Sequence, residues 1–102
     1  GELMALLKID LQDGFAGDLV VIRVNGSEIF RKDGIKTNLA TSRASSLEFD
    51  FSGDSLMIEA ALPKKGLSGA IELDASKPAY LGVSIIDNKI HFVASSTPFV
   101  YF

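Results

Sequence analysis

The stretch Asp18–Lys32, DLVVIRVNGSEIFRK, decides the fold. Asn25-Gly26 stands between two runs of branched and aromatic residues. Both central residues of a type I′ turn need positive φ, and Asn-Gly adopts it at low cost. A two-residue turn then sets the register of a hairpin. Val24 falls opposite Ser27, Arg23 opposite Glu28, Ile22 opposite Ile29 and Val21 opposite Phe30. That register predicts a cross-strand Arg23–Glu28 ion pair. It puts Val20, Ile22, Val24 and Ile29 on one face, and Val21, Phe30, Arg23 and Glu28 on a half-polar face.

Upstream, Leu3 to Leu11 reads as a first strand, with Leu7, Ile9 and Leu11 on one face and Lys8 and Asp10 on the other. Gln12 to Gly17 is a loop whose Phe15 folds back on the core. Downstream, Asp33-Gly34 ends the hairpin. Ile35 to Ser46 lacks periodicity and is too long for a tight turn, so it reads as a crossover between sheets. Leu47, Phe49 and Phe51 alternate with Glu48 and Asp50, the pattern of a half-buried strand. After the turn at Ser52-Gly53-Asp54, Leu56, Ile58, Ala60 and Leu62 form its return partner.

Pro63 to Gly66 is a turn, and Gly69, Ile71 and Leu73 alternate beyond it. Ala75 to Pro78 is another turn. Tyr80 to Ile86 is apolar on both faces, as a central strand is. Asp87-Asn88 is a second tight-turn candidate before Ile90, Phe92 and Ala94. Thr97-Pro98 breaks the run, and Phe99 to Phe102 closes the chain with apolar and aromatic residues throughout. This closing piece is expected as a last strand, tucked into the core or offered as an edge to another chain.

About eight strands at roughly 10-residue spacing, with no useful helical periodicity, predict a single all-β domain over residues 1–102. The expected architecture is an antiparallel β-sandwich with Greek-key connectivity, immunoglobulin-like or prealbumin-like. The immunoglobulin markers are missing, since the chain has neither Cys nor Trp. Length alone allows a real core without metals or disulfides. The chain opens Gly1-Glu2, which reads as a piece of a longer precursor or multidomain protein.

Bulk composition excludes several functions. Without cysteine there is no disulfide, no thiolate nucleophile and no Cys-ligated metal. A cytoplasmic and a secreted setting are both compatible with that. Net charge is -3, so nucleic acid is not an expected partner. Every apolar run falls far short of the about 18 residues a spanning helix needs, so no membrane insertion is expected. Leu3 to Leu7 is too short, and lacks the basic flank, for a secretory leader. The hydrophobic fraction, 47%, is rich for a small domain. Either strands are covered on both faces, or an apolar patch waits for a partner or a second copy.

Chemistry-bearing residues are sparse. His91 is the single histidine, mid-strand, without a marked nucleophile or orienting acid, so a hydrolase-type enzyme is only a third reading. Asp10, Asp13 and Asp18 cluster by the first loop and could offer oxygens to calcium, though at no EF-hand spacing. Tyr80, Tyr101 and Phe30 are the candidates for a sugar-stacking platform. Phosphate-binding glycine motifs are absent. Lys64-Lys65-Gly66 reads as a solvated turn, and Arg31, Lys32, Lys36 and Arg43 as a rim around the crossover.

The function expected is therefore a non-catalytic binding or assembly module, an accessory domain or a small homo-oligomer, with no cofactor. A carbohydrate- or calcium-binding adhesion module is the alternative. A protein partner or a second copy is expected to use the crossover residues Thr37, Asn38 and Arg43 and the terminal aromatics Phe99 and Tyr101.

Overall fold

Period-two burial becomes strand after strand. The structure, a computed structural model, describes residues 5–53, 55–74 and 79–101. Among these residues run β1 (Ala5–Leu11), β2 (Ala16–Val24), β3 (Ser27–Lys36), β4 (Ser45–Phe51), β5 (Ser55–Leu62), β6 (Leu67–Asp74), β7 (Ala79–Ile86) and β8 (Lys89–Ser95). A short 3-10 turn, Pro63–Lys65, joins β5 to β6 and closes on left-handed Gly66. Readings that fell on Leu3, Met4, Asp54, Ala75 to Pro78 and Phe102 lie outside the described residues.

Two four-stranded sheets make the sandwich. Their orders are β4-β1-β7-β8 and β3-β2-β5-β6. The chain changes sheet between β1 and β2, β3 and β4, β4 and β5, and β6 and β7. The expected crossover makes one of these passages, but Ile35 and Lys36 still belong to β3. Immunoglobulin constant domains group strands one, two, five and four against three, six and seven; the grouping here is different.

Inward side chains of both sheets fill the space between them. Leu7, Ile9, Leu11, Leu81 and Val83 come from one sheet, and Val20, Ile22, Leu56, Ile58 and Leu62 from the other, all almost fully buried. Phe15 and Ile35 close one end of this core. Exposed large apolar residues (Leu39, Met57, Ile86, Val93 and Val100) come from several elements. Most of the apolar content has therefore gone into the core.

Besides the expected hairpin of β4 with β5, whose strands lie in different sheets because the chain crosses over at Ser52-Gly53, three expectations need correction. The pairing of β1 with β7 is parallel, Leu7 beside Ala79 through Leu11 beside Val83, whereas the sequence led us to expect antiparallel pairs alone. Alternation fixes which face a strand buries, not which neighbour it takes. Second, the hairpin keeps its predicted register only for Val24–Ser27 and Arg23–Glu28. Ile22 then pairs with Phe30 and Val21 with Arg31, so Ile29 is the extra residue of a bulge. The slip moves Phe30 to the inner face, where it packs on the core. Arg23 reaches Glu59 at 3.9 Å instead, while Glu28 pairs with Arg31 at 2.9 Å. Third, Phe99 to Tyr101 forms no strand.

Candidate functional site

Most of the predicted partner-binding residues gather at one end of the sandwich, where β1 ends and the crossover begins. Thr37 is buried and fully engaged. Its hydroxyl donates to the Gln12 carbonyl at 2.6 Å and accepts from the Phe15 N–H at 3.0 Å. Its own N–H donates to the Phe15 carbonyl. Asn38 closes the rest of the loop. It bridges to Arg43, its carbonyl accepts from the Thr41 and Ser42 N–H groups, and its side chain accepts from Ala40. This pinned loop holds Leu39 at its crest, 94% exposed.

Arg43 and Tyr101 meet directly. The guanidinium lies 5.1 Å from the Tyr101 ring centroid, a cation–π contact. The Tyr101 hydroxyl donates to Asp10 Oδ2 at 2.6 Å and accepts from Gln12 Nε2 at 3.0 Å. Asp10 is only 2% exposed, and its Oδ1 has no hydrogen-bond partner among the described residues. Burial, then the Asp10 carboxylate, push the Tyr101 phenol above its ordinary pKa; Gln12 and Arg43 oppose this by less. Gly82 makes room for the arrangement, because a Cβ there would lie 2.5 Å from Gln12 Oε1. Phe99 is half-buried on the same tail. Four of the five predicted residues thus share this end. Thr37, Asn38, Arg43 and Tyr101 spend their bonds on the protein itself.

At the far end of the β2–β3 hairpin, an open cleft of 300 Å³ lies between the sheets. Phe49, Phe51, Val24 and Leu56 give it an apolar wall; Asn25, Ser27, Asp50 and Ser52 give it a polar rim. On the opposite side the sheets close tightly. A Cβ at Gly69 of β6 would lie 3.2 Å from the Phe92 ring of β8. The cleft therefore opens on the β3–β4 side. Sequence reading missed it because it arises from how far the sheets separate, which alternation does not encode.

The edge strands bordering this side differ. β3 is broken by bulges at Ile29 and at Asp33–Gly34, and it carries Lys32 and Lys36. Bulges and lysines are standard guards against edge pairing. β4 pairs with β1 in unbroken register from Phe51 to Ser45, and it has no Lys and no Pro. Its outer backbone groups are a template for another strand.

The other constellations do not converge. His91 is exposed on β8, facing Ser84, whose hydroxyl accepts from the Asp13 N–H. Asp18 bonds Lys65 at 2.8 Å and the Ala16 N–H at 2.8 Å, while Asp10 serves Tyr101. No group of three or more His, Asp or Glu able to hold a metal occurs among the described residues. No family model matches the chain, and no curated protein or solved structure was found to be similar.

Proposed function

We propose that this chain is a non-catalytic binding module that takes an extended segment of a partner protein by strand addition to β4. The observation that carries this reading is the 300 Å³ cleft opening beside the edge of β4, which has no bulge and no lysine. In strand addition, main-chain hydrogen bonds supply affinity, and pockets for alternate side chains supply specificity. Leu47 and Phe49 are half-buried on the inner face of β4. An added strand would send its inward side chains toward Phe49, Phe51 and Leu56.

Selection of displayed random peptides against the protein, followed by hydrogen exchange, tests this. Selected peptides should be extended in pattern and should slow exchange of amides in β4. Protection elsewhere, or failure to enrich any peptide, would overturn it.

Leu39 supports a second reading, in which the crossover end binds protein. A pinned loop displaying one apolar side chain is a usable anchor, since a rigid loop loses little entropy on binding. Under that reading, Leu39→Asp abolishes binding of the selected peptides and leaves folding intact.

A further inference from the structure

We infer that the segment received by β4 alternates apolar with basic residues and belongs to a different chain, not to a second copy of this one. The inference rests on strand addition and specifies its chemistry. Residues on the outer face of β4 are Ser46, Glu48 and Asp50, all exposed. Across the sheet, Glu48 faces Lys8 and Asp50 faces Leu6 on β1. No ion pair engages either carboxylate among the described residues. A strand added on the free side places its outward side chains directly opposite these two acids. Opposite charges there stabilise a cross-strand pair and like charges weaken it. On the inner side, the cleft walls ask for apolar groups at the alternate positions.

The same acids disfavour self-pairing. Two β4 strands meeting antiparallel about a twofold axis at Glu48 set Glu48 against Glu48. A twofold at Phe49 sets Glu48 against Asp50 twice. Both of these registers oppose like charges along the new ladder, and a twofold at Leu47, which sets Glu48 against Ser46, still gives neither acid a basic partner.

Two labelled, end-blocked peptides make the test: Lys-Val-Lys-Ile-Lys-Val-Lys and Glu-Val-Glu-Ile-Glu-Val-Glu. Binding is read by anisotropy and located by hydrogen exchange. The lysine peptide should bind the full chain about tenfold more tightly than the glutamate peptide, with β4 amides protected. The double variant Glu48→Lys, Asp50→Lys should reverse that order. Because the protein is acidic overall, Glu72→Lys, on the outer face of β6, serves as the control and should leave the order unchanged. Equal binding of both peptides with β4 protected would sink the charge inference and leave strand addition standing. Binding of neither, or protection away from β4, would sink both. Sedimentation should show no dimer formed through β4; a dimer that protects β4 amides would overturn the claim of a different chain.

Discussion

Tyr101 donates a 2.6 Å hydrogen bond to Asp10 across 91 positions of sequence. The bond ties the end of the described chain to a central strand of its sheet. Without it, Asp10 would be a buried carboxylate with neither oxygen served by a donor among the described residues.

Tyr101→Phe tests the worth of that tie. Leaving a buried polar group without its partner costs about 1–3 kcal/mol, and more where the group is charged. The tail can peel back and admit water, which caps the loss. We expect about 2 kcal/mol, a fall in Tm of roughly 10 °C. A change below about 2 °C in thermal unfolding would show that the tail adds nothing to the fold.

The same tie should be visible at high pH. The folded chain holds the Tyr101 proton more tightly than the unfolded chain does. Its contribution is therefore full below about pH 10 and is lost as pH rises through the raised folded value. Absorbance titration of the wild type should show a phenol ionising above about pH 10 that is missing from Tyr101→Phe. Unfolding curves of the two proteins should converge as that phenol ionises.

Asp18 predicts behaviour at the acid end. Burial raises its pKa, but the Ala16 N–H and Lys65 outweigh burial, and the net shift is downward. A lowered folded value means stability that is present above about pH 4 and lost as pH falls through it. Asp18→Asn keeps an acceptor for Ala16 and loses the ion pair. Lys65 is partly exposed, so the cost is held to about 0.5–1 kcal/mol at pH 7. The gap between variant and wild type should close below about pH 4 in denaturant melts.

Local chemistry made the fold readable, and long-range geometry did not enter it. Asn25 and Gly26 have φ of 49° and 83°, and Asp87 and Asn88 have 51° and 62°, so both tight turns are real. Leu56, Ile58, Ala60 and Leu62 bury the face their alternation assigned. The bulge at Ile29 was invisible because neither Ile29 nor Phe30 carries a polar marker of face. The partnership of β1 with β7 depends on contacts distant in sequence. Arg43 and Tyr101 stand among the candidate partner-binding residues on sequence alone, but nothing local reveals that Asp10 and Gln12 complete their cluster. β4 is legible as a strand lacking Lys and Pro, though not as an edge.

Gly14 should be the least replaceable glycine of those with positive φ. Its φ is +88°, and an added Cβ would lie 2.0 Å from the Ile85 carbonyl oxygen. That oxygen is backbone in β7, held by the neighbouring bonds from Gln12 N–H to Val83 and from Ile85 N–H to Asp13. Gly34 has φ +72° but open space around it. Gly34→Ala should cost about 1 kcal/mol from φ alone. Gly14→Ala should cost about 3 kcal/mol or more, since the loop between β1 and β2 must also lift away from β7. Equal losses for the two variants in urea unfolding would refute the close approach.

Asn25 does more than turn the hairpin. Its N–H donates to the Met57 carbonyl at 2.8 Å, and its side-chain oxygen accepts from the Met57 N–H at 2.8 Å. One residue thus extends the β2–β5 ladder past the end of β2 and borders the cleft. Asn25→Gly keeps the positive φ and deletes the side-chain acceptor. The Met57 N–H can then turn to water, so the loss is about 0.5–1 kcal/mol. Asn25→Ala loses the acceptor and strains the turn, adding about 1 kcal/mol. The amide of Met57 should exchange faster in both variants, while amides at the Thr37 end keep wild-type rates. Unchanged exchange at Met57 would mean that the turn alone, without this bond, fixes the hairpin against β5.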